Sequence, residues 1–190
     1  VHLKDVVLDK IFYYNEEYEA VKEWFKRQLI YTKGGELPKL QAKLAGIDFA
    51  FGVGGVHASV VAKIFESNDD YIIKDVDVAG MYPAIASANR FAPAHLEKDF
   101  NLPYNELQLH RNRYKKGTSK NKMFKLAQNA VFGNSDNPFS CFYDPKYPKQ
   151  ITVNGQLQIL QLAEMFAMIP GVKLIQANTD GITAYVPRKL

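Results

Sequence analysis

Two aspartates in this chain each sit where a run of strand-forming residues gives way to a turn. Asp77 closes Tyr71–Val78 and opens Asp77-Val78-Ala79-Gly80-Met81-Tyr82-Pro83. Asp180 lies in Asn178-Thr179-Asp180-Gly181. A lone strand-end aspartate is most often a turn residue. Two of them on rigid strands are suited to holding divalent ions side by side. Phosphoryl transfer needs mainly positioning and charge neutralisation. Two Mg²⁺ ions about 3.5–4 Å apart can activate an attacking oxygen and stabilise a leaving pyrophosphate. Mg²⁺ takes oxygen ligands and keeps water, so two carboxylates plus a substrate triphosphate suffice. Asp75 is the rival acid on the same strand face.

Between the aspartates runs Lys125-Leu126-Ala127-Gln128-Asn129-Ala130-Val131-Phe132-Gly133. Lys125 and Asn129 are spaced i, i+4 and share one helix face. Upstream, Arg111, Arg113, Lys115, Lys116, Lys120, Lys122 and Lys125 face a single acid, Glu106, between Pro103 and Lys125. Such a segment attracts phosphates and releases counterions on binding. It reads equally as the solvated face of a helical hairpin.

The three segments, in this order, resemble motifs A, B and C of family B DNA polymerases. Motif A there reads Asp-x-x-Ser-Leu-Tyr-Pro. The resemblance implies that Asp77 and the Val78 carbonyl are metal ligands and that the Gly80 and Met81 amides face the triphosphate. Tyr82 matches the steric gate that excludes a 2′-hydroxyl; its alternative is a core tyrosine. Motif B reads Lys-x-x-x-Asn-Ser-x-Tyr-Gly, matched by Lys125, Asn129, Phe132 and Gly133. The implied roles are charge neutralisation by Lys125 and packing of Phe132 against the nascent base pair. A second nucleotide-binding cation is expected from Arg113, Lys122 or Arg111, in that order. Motif C reads Asp-Thr-Asp-Ser, so Asn178 and Gly181 are departures, while Asp180 keeps the acid implied to bind both metals. The Asn-Thr-Asp-Gly form resembles that of phage members. Gly54-Gly55, after Phe51-Gly52-Val53, resembles a Tyr-x-Gly-Gly segment that contacts template, without its tyrosine. Gly54, Gly55, Gly133 and Thr179 are thus the implied DNA contacts.

Those residues must be positioned by the elements around them. Asn15–Leu29 reads as an amphipathic helix with Tyr18, Val21, Trp24 and Phe25 on one side. Thr32–Leu37 reads as a loop, and Pro38 is expected to open a short helix through Lys39 to Leu44. Ile47–Ile64 reads as two strands around a glycine-dense turn. A helix is expected from about Pro83 to Asn89. Two more are expected at Tyr104–Lys116 and Lys120–Phe132, joined through Gly117-Thr118-Ser119. A long helix follows at Gln150–Met168. Lys173–Asn178 and Ile182–Val186 form a hairpin with Asp180-Gly181 as its turn signal. Strands carrying acids with helices inserted between them predict an α+β fold, an antiparallel sheet backed by helices with a projecting helical hairpin.

The resemblance implies a palm with a short fingers insertion. Residues 1–50 would be a helical or linker segment leading into the palm. Residues 51–102 would be palm with motif A, 103–133 fingers with motif B, and 134–190 palm with motif C. Thumb and exonuclease motifs are not found. With Val1 at the start and an end soon after Asp180, the chain reads as a fragment. The implied reaction is template-directed transfer of a dNTP to a primer 3′-end. It would use two Mg²⁺ ions, with Mn²⁺ as substitute, and primer–template DNA, dNTP and the parent's exonuclease and thumb domains as partners. Two rivals are a catalytically inactive nucleic-acid-binding module and another metal-dependent phosphoryl-transfer enzyme such as a nuclease.

Bulk properties agree with a globular protein: 190 residues, 47% hydrophobic and 13% aromatic. The net charge of +4 is a modest hint of a polyanionic partner. No run of about 18 apolar residues exists, so no membrane partner is expected. The one cysteine, Cys141, rules out an internal disulfide and suits a reducing compartment, here the cytoplasm of a host cell. The four histidines are scattered, with no zinc-site spacing.

Overall fold

The computed structural model describes residues 1–31 and 38–190. The expected loop at Thr32–Leu37 lies outside the described residues. The fold is α+β. The chain divides into two compact units, one of residues 1–79 with 152–190, the other of residues 80–151.

The first unit is built on a six-stranded sheet in the order β1-β2-β3-β5-β6-β4, with every pairing antiparallel. The strands are β1 (Leu40–Leu44), β2 (Ile47–Phe51), β3 (Val56–Ser59), β4 (Tyr71–Asp77), β5 (Lys173–Ala177) and β6 (Gly181–Pro187). Ile47, Phe49 and Phe51 alternate with exposed Asp48 and Ala50, so one face of β2 is buried. Against that face lie α1 (Glu16–Lys26) and the later turns of α5 (Lys146–Ala167). Phe25 of α1 meets Phe51 edge-on at 6.1 Å between ring centroids. Leu157, Leu160 and Ala163 of α5 are fully buried. Each large apolar side chain so buried contributes about 1.5–3 kcal/mol. Asn15 caps α1 by accepting from the Glu17 N–H at 2.9 Å. Buried Glu164 of α5 holds the preceding turn, accepting from the N–H groups of Tyr14 and Asn15 at 3.0 and 2.7 Å.

Leu40–Leu44 is a strand, which corrects the helix expected from Pro38. Leu40, Ala42 and Leu44 are the less exposed positions and Gln41 and Lys43 the exposed ones, a period of two. The two-residue link Ala45-Gly46 has φ of 50° and 79°, and this left-handed pair closes a tight hairpin to β2. Alanine in that conformation gives little signal in a sequence.

The second unit is helical: α2 (Met81–Ala88), α3 (Glu97–Asn112), α4 (Ser119–Asn134) and the first turns of α5. Helix α3 starts earlier than Tyr104 and runs through Pro103. An internal proline costs a helix about 3 kcal/mol. Here buried Phe100 and Tyr104, stacked at 5.1 Å, bracket it on the packed face. Helices α3 and α4 pack as a hairpin, with the Phe124 ring stacked on His110 and Tyr114 at 5.5 and 5.9 Å. Among the described residues, no helix is long and apolar enough to cross a membrane.

Candidate active site

In the first unit the β5–β6 hairpin and β4 bring the two motif aspartates together. Strand β4 pairs with β6 along its whole length, ending with Asp77 opposite Gly181. One step further, the Val78 N–H donates to the Asp180 carbonyl at 2.7 Å. Asp77 and Asp180 therefore occupy neighbouring rungs of one ladder. Both are exposed, and among the described residues neither carboxylate has a hydrogen-bond or salt-bridge partner. Asp75 is engaged elsewhere, since the Thr183 hydroxyl opposite it donates to its Oδ1 at 2.7 Å.

The hairpin tip is Asn178-Thr179-Asp180, and Gly181 already belongs to the return strand. The Asn178 N–H donates to the Gly181 carbonyl at 2.9 Å, while its Oδ1 accepts from the Asp180 N–H at 3.1 Å. Gly181 does not have a left-handed φ. Glycine is required there for room: a Cβ would overlap Asp77 Oδ1 and stand 2.8 Å from the Val76 carbonyl oxygen. The Asp-Gly pair thus works by space, not by the turn geometry that its sequence suggests.

The glycine-dense turn between β2 and β3 lies against the same tip. A Cβ on Gly55 would come within 2.7 Å of Thr179 Oγ1. Two residues of α5 hold this turn, and sequence reasoning did not single them out. The Thr152 hydroxyl donates to the Val53 carbonyl at 2.6 Å. The Gln156 Nε2 donates to the Gly52 carbonyl at 2.7 Å, and its Oε1 accepts from the Gly52 N–H at 3.2 Å. Their signal is a polar i, i+4 pair, Thr152 and Gln156, on one face of the long helix.

In the second unit Gly80 is the N-cap of α2 with φ 59° and ψ 48°, a left-handed conformation that favours glycine over the serine of the family pattern. Its Cβ position is 3.5 Å from Arg111 Nη1. Arg111, the last of the three expected cations, is the one placed beside α2's first turn. Arg113 ends α3 as its C-cap, and Lys122 is exposed on α4. Met81 and Pro83 are buried, and the half-buried Tyr82 ring lies 4.8 Å from that of Phe132. Lys125, Asn129 and Gly133 are exposed along α4. The α4 start is fixed by Thr118, whose Oγ1 accepts from the Asn121 N–H at 3.4 Å. The Asn121 Nδ2 donates to the carbonyls of Arg111 and Tyr114, each at 3.1 Å.

Among the described residues no three His, Cys, Asp or Glu side chains gather as a metal cage. The donors available at the β4–β6 end are the carboxylates of Asp77 and Asp180 and the Val78 carbonyl. An all-oxygen set of this size fits Mg²⁺, which retains water and takes further oxygens from a phosphate-bearing substrate.

No protein-family model matches the chain, and no curated protein sequence matches it. Among solved structures it is similar to the family B DNA polymerase from the hyperthermophilic archaeon Pyrobaculum calidifontis, at 12% sequence identity and a TM-score of 0.38. The similarity covers 67% of this chain and 24% of that one, so the chain spans about a quarter of that polymerase's length.

Proposed function

We propose that this chain is the palm and fingers segment of a family B, phage-type DNA polymerase and that it catalyses template-directed nucleotidyl transfer. The observation that supports the reading is the Asp77–Gly181 rung, with the Val78 N–H bonded to the Asp180 carbonyl, which brings the backbones of the two aspartates to the same end of the sheet. In this reading Asp77, Asp180 and the Val78 carbonyl hold Mg²⁺, which supplies Lewis acidity to the attacking 3′-oxygen and the leaving pyrophosphate.

The other residues bind and orient. Gly80 and Met81 offer backbone amides at the start of α2, where the helix dipole favours an anion. Lys125, with Arg111 ahead of Arg113 and Lys122, neutralises the triphosphate. Asn129 binds the nucleotide from the same helix face as Lys125, Phe132 lies against the nascent base pair, and Tyr82 lies under the sugar. Gly54, Gly55, Gly133 and Thr179 approach DNA, where the missing side chains of the glycines let backbone come close to phosphate. Mn²⁺ would replace Mg²⁺ at the same oxygens.

The test is primer extension by the intact polymerase. Asp77→Ala or Asp180→Ala is expected to abolish extension while leaving primer–template binding near the unmodified level. Extension that survives both substitutions refutes the reading, and loss of DNA binding in parallel points to a structural role for the acids instead.

A further inference from the structure

We propose that a pocket between α1 and the end of α5 binds an alkylammonium group, held by the buried carboxylate of Glu164 and by two tyrosine rings. The pocket has a volume of about 400 Å³ and lies wholly in the first unit. Tyr14 and Tyr18, Glu164 and Met168, and Ala45 of the β1–β2 link are among its walls. That link is at the opposite edge of the sheet from β4, so the pocket is separate from the end that holds Asp77 and Asp180.

Glu164 is 3% exposed, and among the described residues it forms no salt bridge. A buried charge without a counter-charge is costly. Two backbone N–H groups offset part of that cost, unevenly between the two oxygens. Oε1 accepts from Asn15 at 2.7 Å and from Tyr14 at 3.0 Å, whereas Oε2 only shares the Tyr14 N–H, at 3.2 Å. A carboxylate oxygen has about two acceptor sites, so Oε1 is filled and Oε2 has room for another donor. A guanidinium fork needs both oxygens. A compact ammonium needs one.

The walls suit the same cation. No lysine, arginine or histidine lines the pocket, and Glu17 adds a second carboxylate. Tyrosine ring faces attract cations. Tyr14 is 71% exposed, yet its backbone is strapped to α5. Gln161 Nε2 donates to the Phe12 carbonyl at 2.9 Å, the Tyr13 hydroxyl donates to the Leu157 carbonyl at 2.7 Å, and Glu164 takes the next two N–H groups. The Phe12 ring meets that of Tyr14 edge-on at 5.5 Å. An exposed ring on a fastened backbone is already organised for a ligand.

The test is a titration of the full chain with n-butylammonium, followed by amide chemical shifts in nuclear magnetic resonance spectra. Neutral n-butanol and n-butylguanidinium are the comparisons. Saturable shifts are expected at Tyr14, Asn15 and Met168, with butylammonium bound about tenfold tighter than butanol and more tightly than butylguanidinium. Glu164→Gln keeps the size of the side chain and an acceptor for the Asn15 N–H. It should weaken butylammonium binding about tenfold, the effect of removing one nearby charge. Tyr14→Ala should weaken it as well, and Tyr14→Phe should not, because the ring face is enough. Thermal melts check that each variant is folded.

Butanol binding as tightly as butylammonium, or no saturable shift at these amides, overturns the site. Equal affinity for butylguanidinium overturns the choice of ammonium. Unchanged affinity in folded Glu164→Gln also overturns the proposal. Should that variant unfold, Tyr14→Ala decides, since the ring is exposed and its loss leaves the straps in place; unchanged affinity there overturns the site. Cadaverine and Nα-acetyl-lysine methylamide distinguish two sources of the group. Tighter binding of the first identifies a free polyamine, and of the second a lysine side chain on another protein.

Discussion

The Tyr82 ring lies 4.8 Å from that of Phe132, and buried Pro83 follows it in the first turn of α2. Both neighbours restrict where the ring can point. A ring held beneath the sugar excludes a 2′-hydroxyl by overlap and needs no hydrogen bond to do so. Tyr82→Ala or Tyr82→Val in the intact polymerase should therefore raise ribonucleotide incorporation relative to deoxynucleotide. Tyr82→Phe should keep most of the discrimination, because the ring and its contact with Phe132 remain. Competitive single-nucleotide incorporation measures the ratio; an unchanged ratio without the ring makes Tyr82 a core residue. At this scale the sequence showed residue types well and their reasons poorly. The placement of Asp77 and Asp180 at strand ends was legible from their motifs. That Gly80 answers a left-handed backbone while Gly181 answers a carboxylate was not, since both appear simply as replacements of serine. Arg111, Arg113 and Lys122 look alike in the sequence, and only the helix sets Arg111 beside Gly80.

Among the elements, the α3–α4 link is held in part by one buried side chain. Asn121 is buried, and its Nδ2 donates to the carbonyls of Arg111 and Tyr114. Asn121→Ala leaves both carbonyls without that donor and should cost about 1–3 kcal/mol. Asn121→Asp should lose as much, because an ionised carboxylate cannot donate. Hydrogen exchange checks this: amides of α3 and α4 should exchange faster while those of β5 and β6 keep their protection. Uniform loosening of both units would show that Asn121 matters to global stability rather than to this link. Most elements were readable from periodicity, including α1, β4, α4 and the β5–β6 hairpin, with ends shifted by a few residues. The failures have local causes. β1 was misread because Pro38 suggested a helix start and the left-handed Ala45 gave no turn signal. The start of α3 was missed because Pro103 looks like a boundary, whereas tertiary packing of Phe100 and Tyr104 carries the helix through it.

For the molecule as a whole, both units bury a tyrosine hydroxyl, and this ties their stability to alkaline pH. Burial is the main reason that Tyr18, in the first unit, and Tyr104, in the second, are each pushed up from 10.0 to about 12. Burial raises Tyr13 and Tyr147 further. The folded protein thus holds these protons at a pH where the unfolded chain has released them. The stabilisation is complete below about pH 10 and is lost as pH rises towards 12. Thermal melts should be flat up to about pH 10 and then fall steeply. Tyrosinate absorbance should rise together with the loss of the circular dichroism signal, because these hydroxyls ionise on exposure. Tyr104→Phe should keep the core ring while removing the titrating group. In that variant the α3 and α4 amides should survive to higher pH than in the unmodified protein, with β5 and β6 unaffected. A smooth ionisation of every tyrosine with the fold intact would show that the hydroxyls reach solvent without unfolding, and the link between burial and alkaline stability would fail.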